Sequence, residues 1–144
     1  MEKFEFKITG GDYQNIGYVS NTIKKVMNAR NMVPKHSRRI AVAIFEVETN
    51  IIFYALKGTV SVLFDADKVV VIANDEGPGI ENVPLALREG FTTASEYIRR
   101  LGFGAGLGLS NIIKNSDIVW ISSLINKGTQ IILTFFTNTF FEIL

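Results

Sequence analysis

The sequence contains no cysteine and only one histidine among its 144 residues. The absence of cysteine excludes disulfides, thiolate metal sites and a cysteine nucleophile. A single histidine cannot form a cluster of histidine ligands or a histidine relay. An excess of one charge is also missing, since 15 Lys and Arg stand against 14 Asp and Glu. Because a nucleic-acid partner would favour a basic face, this balance gives no support for nucleic-acid binding.

Long apolar runs are missing as well. Residues 1–7 alternate charged and apolar side chains and lack the apolar region of a signal peptide. No run approaches the roughly 18 apolar residues of a membrane span. We therefore expect no membrane segment and a cytoplasmic location. The hydrophobic fraction of 47% is that of a chain with a real core, and one domain over residues 1–144 is expected.

Periodicity predicts strands and helices that alternate along the chain. Asp12 is the expected N-cap of a helix through Asn31, and a second helix should run from Pro34 to about Leu56, where Gly58 would stop it. The other predicted elements are strands at 3–9, 59–64, 68–74, 117–124 and 129–137, and helices at 82–89 and 104–115. Together they indicate a mixed sheet with helices in one domain.

The second predicted helix carries two different faces. Its apolar stripe predicts the core side and consists of Ile40, Ile44, Val47, Ile51 and Ala55. On another face, Glu46 and Asn50 are one turn apart and lie side by side. They belong either to a solvated surface or to a site, as a carboxylate that takes a proton and an amide that ligates a hard cation. Glu48 points elsewhere and is expected at the surface.

Two glycine-rich segments accompany this helix. Asp75 follows a predicted strand and precedes Gly77-Pro78-Gly79. It is either part of an ordinary turn or an acceptor for the exocyclic amine of a ligand that the glycines admit to the backbone. The second segment alternates glycines between Gly102 and Gly108 and leads into a helical pattern. It is either a hinge or a set of backbone amides that binds an anion, and it lacks the lysine of a P-loop.

In this order the three motifs resemble the GHKL, or Bergerat-fold, ATPase superfamily. There, an acid-and-asparagine box on a helix, a DxGxG box and a GxGLGL box line one nucleotide pocket. The matching segments are Glu46 to Asn50, Asp75 to Gly79 and Gly104 to Leu109, with Gly128-Thr129 before the last strand. The resemblance covers about residues 35–136. It implies an α+β fold, a two-layer sandwich whose mixed, mostly antiparallel sheet has helices on one face.

The resemblance also implies how ATP would be bound. Asp75 would contact the adenine amino group with help from Thr129, and Gly77 and Gly79 would shape the adenine pocket. Asn50 would ligate Mg²⁺ between the phosphates. Backbone amides of the glycine-rich segment would hold the phosphates, and a lid at about 81–103 would add an arginine. These phosphate-binding residues are Gly104, Ala105, Gly106, Leu107 and Gly108, with Arg99 or Arg100 from the lid.

Within the superfamily, a chain this short resembles the bacterial anti-sigma-factor serine/threonine kinases and the switch kinases of the stressosome. The segments 50–58 and 89–93 are most similar to the switch-kinase branch. Histidine kinases need a phosphoacceptor histidine on a dimerising helix pair, whereas His36 stands at the start of a predicted helix. Tyr54 also occupies the place where many histidine kinases have a second asparagine. Both departures disfavour that branch.

The implied function is an ATP-dependent protein serine/threonine kinase in transcription regulation. Glu46 would be the general base that takes a proton from a Ser or Thr hydroxyl of a STAS-type antagonist, and a sigma factor is a second expected partner. Two alternatives stay open: a nucleotide-gated module that sequesters a sigma factor or regulator with little kinase activity, and a stand-alone histidine-kinase-like ATPase domain. The aromatic residues near the C-terminus predict either a homodimer or partner interface, or a tail that covers its own sheet.

Overall fold

Five strands form one sheet in the computed structural model, which describes residues 1–80, 83 and 108–138. The strands are β1 (Glu2–Thr9), β2 (Lys57–Phe64), β3 (Lys68–Glu76), β4 (Ile118–Leu124) and β5 (Gly128–Phe136). Their order in the sheet is β1-β2-β3-β5-β4, and all of these pairings are antiparallel. The predicted strands are confirmed to within two residues at each end.

Helices pack on one face of this sheet and are α1 (Tyr18–Ala29), α2 (Pro34–Tyr54) and α3 (Gly108–Asn115). α2 contacts β1, β2 and β3, and both α1 and α3 pack against α2. Pro34 occupies the first turn of α2, where its missing N–H costs no hydrogen bond. The predicted α+β fold class is confirmed. Apart from Val83, the predicted helix at 82–89 lies outside the described residues, as does the predicted start of the third helix at 104–107.

The core lies between α2 and the inner face of the sheet. The predicted apolar stripe of α2 is confirmed at Ile40, Ile44, Val47 and Ile51, which are each at most 1% exposed. Its last predicted member, Ala55, follows the end of the helix and is only partly buried. Each of the buried isoleucine and valine side chains contributes about 1.5–3 kcal/mol through burial, so this stripe holds α2 firmly on the strands. α2 therefore provides a rigid support for the side chains on its other faces. None of the helices in the described ranges is long and apolar enough to span a membrane.

The other face of the sheet is also apolar, and we call it the outer sheet face. It is formed by neighbouring side chains of β2, β3, β4 and β5: Leu63, Val70, Ile72, Trp120 and Ile132. Ile132 pairs with both Ile72 and Trp120, so these three side chains form a continuous row across the strands. Trp120 remains 49% exposed. This face is a candidate contact surface.

A carboxylate from α2 caps the start of α1. Glu48 is only 1% exposed, and its Oε2 and Oε1 accept hydrogen bonds from the backbone N–H groups of Val19 and Ser20 at 3.0 and 3.4 Å. The prediction that Glu48 lies at the surface is therefore wrong. The first N–H groups of a helix need acceptors, and here another helix supplies them. Burial raises the pKa of Glu48, and the backbone N–H donors offset part of the rise.

Two local predictions about helix ends are also wrong. Asp12 does not cap a helix that continues to Asn31; it precedes a short 3₁₀ turn and accepts a hydrogen bond from Asn15 Nδ2 at 2.7 Å. Gly58 does not stop α2, which ends at Tyr54, and instead lies within β2. A Cβ atom at Gly58 would lie 3.0 Å from Ile51 Cδ1, so glycine lets β2 approach α2 closely.

Candidate functional site

Glu46 and Asn50 lie on a half-buried face of α2, opposite the start of α3. A Cβ atom at Gly108, the first residue of α3, would lie 3.2 Å from Glu46 Oε2 and 3.6 Å from Asn50 Oδ1. Both oxygens therefore lie close to Gly108, where a side chain would crowd Glu46 Oε2. The structure brings together the predicted carboxylate and amide, and it places them beside the last glycine of the glycine-rich segment.

A second contact to the Glu46 carboxylate comes from Asn111 of α3. Its side-chain amide Nδ2 donates a hydrogen bond to Glu46 Oε1 at 3.1 Å. The orientation of the amide follows from the chemistry, because a carboxylate accepts hydrogen bonds and so must face the NH₂ group. Sequence reasoning missed Asn111. The signal that was available is its spacing, since a residue three positions after Gly108 shares the same helix face.

Asp75 is the last residue but one of β3 and is half-buried. Its Oδ1 accepts a hydrogen bond from the backbone N–H of Thr129 at 3.1 Å. Burial raises the pKa of Asp75, and this hydrogen bond offsets part of the rise. The two predicted adenine contacts are thus neighbours in the structure. With Oδ1 directed at Thr129, Oδ2 is the oxygen suited to accept a hydrogen bond from a ligand.

The glycines around Asp75 are required by close backbone contacts. Gly79 has a φ of +76°, and a Cβ atom there would overlap the Leu124 carbonyl oxygen. Gly128 has a φ of +151°, and a Cβ atom there would overlap the Asp75 carbonyl oxygen. At Gly77, a Cβ atom would lie 3.1 Å from the Cα atom of Ala55. The end of β3, the turn between β4 and β5 and the end of α2 therefore meet.

Ser123 connects the two sides of this meeting point and was also missed from the sequence. Its hydroxyl oxygen accepts a hydrogen bond from the Ile80 backbone N–H at 2.7 Å. The same oxygen lies 2.8 Å from Thr129 Oγ1. Ser123 therefore fixes the segment after Gly79 relative to Thr129. Nothing in the sequence around Ser123 distinguishes it from other serines on a strand.

The site has the shape of a band along α2. Ala55, which contacts Gly77, is nine residues beyond Glu46. At about 1.5 Å per residue, Glu46 and the Asp75 segment are separated by roughly 13 Å along the helix axis. Such a band suits an extended ligand with a base at one end and charged groups at the other. Hard oxygen donors, as at Asn50, suit Mg²⁺, which keeps waters and substrate phosphates as its other ligands.

Several predicted site residues lie outside the described residues. They are Arg100, Gly104, Ala105, Gly106 and Leu107, together with Arg99 and, Val83 excepted, the predicted lid at 81–103. Within the described ranges, no three His, Asp or Glu side chains are grouped so as to hold a metal ion.

The sheet, the helix layer and the motifs along α2 define an ATP-binding domain of the GHKL type. Residues 35–139 match the family described as histidine kinase-, DNA gyrase B-, and HSP90-like ATPase, and the chain belongs to this family. The expected family is therefore confirmed.

A relative with a similar sequence indicates the serine/threonine-kinase branch of this family. The serine/threonine-protein kinase RsbT of Bacillus subtilis (strain 168) is 33% identical over 97 residues, which are 65% of this chain and 67% of RsbT. The expected enzyme class, a protein serine/threonine kinase, is confirmed by this similarity.

Two solved structures share the fold. One is from the crystal structure of the SiaB–SiaC complex of Pseudomonas aeruginosa, with 16% identity, a TM-score of 0.63, and coverage of 91% of this chain and 88% of that chain. The other is the catalytic domain of the histidine kinase ThkA, with 19% identity, a TM-score of 0.55, and coverage of 95% and 97%. At these identities the likeness is one of fold.

Proposed function

We propose that this chain is a cytoplasmic regulatory kinase that transfers the γ-phosphate of ATP to a Ser or Thr hydroxyl of a STAS-type antagonist protein. The observation that carries the proposal is the placement of Glu46 Oε2 and Asn50 Oδ1 together beside Gly108, the last glycine of the glycine-rich segment. A base and an amide ligand at one end of an ATP site are what phosphoryl transfer to a hydroxyl requires. The similarity to RsbT supports the same choice.

The proposed reaction uses few protein groups. The substrate hydroxyl oxygen forms a bond to the γ-phosphorus, the bond from the γ-phosphorus to the oxygen of the ADP leaving group breaks, and the hydroxyl proton passes to Glu46. Asn50 would hold Mg²⁺, which neutralises charge on the phosphates when bound. Glu46 thus acts on the acceptor, whereas Asn50 acts on the nucleotide.

At the other end of the site, Asp75 would accept a hydrogen bond from the adenine amine. The Thr129 backbone N–H fixes the carboxylate through Oδ1. Gly77 and Gly79 keep the neighbouring backbone free of side chains, so that the base can lie against it. The expected lid at residues 81–103, with Arg100 on the phosphates, remains part of the proposal; hydrogen exchange in this segment should slow when ATP is added.

The proposed partners are a STAS-type antagonist and a sigma factor. A partner protein for a chain of this fold is supported by the SiaB–SiaC structure, which is a complex. A homodimer is also proposed, and the outer sheet face supports it because a continuous apolar row with a half-exposed Trp120 is suited to a protein contact. Light scattering on the full chain and on a Trp120→Lys variant tests the dimer: a monomer in both would contradict it.

Labelled phosphate transfer tests the proposed function. The chain is incubated with γ-labelled ATP, Mg²⁺ and, one at a time, the STAS-domain proteins encoded in the same genome, and the labelled residue is mapped. We expect an acid-stable label on a Ser or Thr of one of them. A label on histidine would favour the histidine-kinase alternative, and ATP-dependent binding without transfer would favour the binding module.

The metal part of the proposal has its own test. Asn50→Ala should lose the Mg²⁺-dependent component of ATP binding, because the side-chain oxygen that would hold the ion is removed. Calorimetry with and without Mg²⁺ measures this component. Thr49→Ser, one position away and buried on another side of α2, is the matched control. An Asn50→Ala variant that keeps the full Mg²⁺ dependence would contradict the assignment.

A further inference from the structure

The two oxygens of Glu46 face different parts of α3. Oε1 accepts the hydrogen bond from Asn111 Nδ2 at 3.1 Å. Oε2 borders the space at Gly108, where a Cβ atom would be 3.2 Å away. Gly108 and Asn111 are three residues apart and so share one face of α3. One oxygen is therefore tied to Asn111, and the other lies on the side of Asn50 Oδ1, beside Gly108.

A general base works only within a narrow geometry. It has to come within about 2.6–3.2 Å of the hydroxyl whose proton it takes. A glutamate side chain has three rotatable bonds, and on a half-buried face it would sample several orientations. A single hydrogen bond to one carboxylate oxygen removes much of that freedom and selects which oxygen meets the substrate. Asn111 is placed to do this because it reaches Glu46 from a different helix.

The helix that carries Asn111 is itself well anchored. Ile112 is fully buried and Ser110 is nearly so, and the helix packs against α2. The backbone at Asn111 is thus held between two buried neighbours in the chain. The Asn111 carbonyl also accepts a hydrogen bond from Asn115 Nδ2 at 2.7 Å, one turn further on. The backbone that carries the Asn111 amide donor is therefore fixed by contacts that do not involve Glu46.

We propose that Asn111 is a positioning residue for Glu46, holding Oε1 so that Oε2 is presented to the acceptor hydroxyl. This inference rests on the proposed function, because it gives Glu46 the role of base. Asn111 acts through Glu46 and touches neither the acceptor nor the nucleotide. A purely structural clamp between α2 and α3 would use the same hydrogen bond, so the test has to separate the two roles.

A double-mutant cycle separates them. It compares the variants Asn111→Ala, Glu46→Gln and their combination. Phosphoryl transfer is measured to the acceptor protein that the labelled-transfer experiment identifies, and calorimetry measures the ATP affinity. Asn111→Ala should lower the transfer rate on the order of 10–10²-fold, the size of effect that a misplaced catalytic group produces, with ATP affinity and KM unchanged within about twofold. In the Glu46→Gln background, Asn111→Ala should change the rate by less than about twofold, because the group it positions is gone.

Two further variants serve as controls. Alanine is a good helix former, so Asn111→Ala should keep α3 intact. Asn111→Asp keeps the shape of the side chain but removes the hydrogen-bond donor. It should therefore lower the transfer rate as well. Ile113→Ala changes an exposed side chain of the same helix and leaves the hydrogen bonds of Glu46 and Asn111 in place, so it should retain the wild-type rate. Equal losses from Asn111→Ala in both backgrounds would overturn the positioning role alone. A wild-type chain that phosphorylates nothing would overturn the proposed function, and the positioning role with it.

Discussion

Glu46 and Glu48 are two carboxylates on the same helix, and they meet opposite surroundings. Glu48 is 1% exposed and accepts two backbone hydrogen bonds at the start of α1. Glu46 is half-buried, and one of its oxygens lies beside Gly108, where a Cβ atom would be 3.2 Å away. Residues that are two positions apart on a helix are separated by about 200° around its axis. The side chains of Glu46 and Glu48 therefore leave α2 on nearly opposite sides.

The contrast shows how α2 serves folding and chemistry together. The Glu48 side fixes α1, because the N–H groups of a helix start and its dipole favour a carboxylate. On the Glu46 side, Glu46 Oε2 and Asn50 Oδ1 lie together beside the glycine at position 108. We therefore expect substitutions at Glu48 to act on the free energy of unfolding and substitutions at Glu46 or Asp75 to act on ATP chemistry.

The largest expected effect on stability belongs to Glu48→Ala. Both buried N–H groups, at Val19 and Ser20, would lose their acceptor, and each unsatisfied donor costs about 1–3 kcal/mol. We expect the free energy of unfolding to fall by about 2–6 kcal/mol. Urea unfolding followed by circular dichroism measures it, with Glu46→Gln as the matched variant on the same helix. Equal unfolding free energies in Glu48→Ala and the wild type would break the comparison.

The next effect concerns ATP affinity at the far end of the site. Asp75→Asn would turn an amide NH₂ or a weaker acceptor towards the adenine amine, which should cost about 1–3 kcal/mol, or roughly 5–150-fold in Kd. Calorimetry with ATP and Mg²⁺ measures the loss. Asp67→Asn, in the exposed turn between β2 and β3, is the control and should bind as the wild type does. Wild-type affinity in Asp75→Asn would remove Asp75 from the adenine site.

The smallest effect is a pH dependence of stability. Burial raises the pKa of Glu48 and of Asp75 above their ordinary values of 4.5 and 3.8. Between the ordinary and the raised pKa the folded chain binds more protons than the unfolded chain. The contribution of each group is therefore complete below its ordinary pKa and is lost as pH rises through the raised one, by at most about 1.4 kcal/mol per pH unit.

Glu48→Gln isolates one of these groups. The stability advantage of the wild type over this variant should shrink as the pH is raised upward from about 4.5, because only the wild type carries the titrating group. Urea unfolding at a series of pH values measures the difference. An advantage that grows with pH would show that the Glu48 pKa is lowered rather than raised.

Much of the fold was predictable because its signals are local. The period-two strands and the apolar stripe from Ile40 to Ile51 each depend on neighbouring residues, and both are confirmed. The site segments were predictable for the same reason, since each is a contiguous motif. Their family match is confirmed, whereas the roles of Glu46 and Asp75 stay predictions.

The features that sequence reasoning missed depend on distant partners. Glu48 accepts a hydrogen bond from Val19, 29 residues earlier, and Asn111 contacts a carboxylate 65 residues away. Ser123 binds the backbone at Ile80, 43 residues before it. The preference for aspartate at helix N-caps predicted Asp12 as the cap of α1, but the acceptor is the buried Glu48 carboxylate of α2. Such pairings are set by the packing of helices on the sheet, which a pattern within one segment does not contain.

The central claim is that Glu46 acts in phosphoryl transfer, whereas Glu48 contributes to the stability of the fold. Single-turnover phosphate transfer, expressed per folded molecule, tests it directly in the wild type, Glu46→Gln and Glu48→Gln. We predict that Glu46→Gln loses on the order of 10²–10⁴ in rate with ATP affinity and unfolding free energy nearly unchanged, because a general base acts in the transition state. Glu48→Gln should keep the wild-type rate per folded molecule. A wild-type rate in Glu46→Gln would contradict the account.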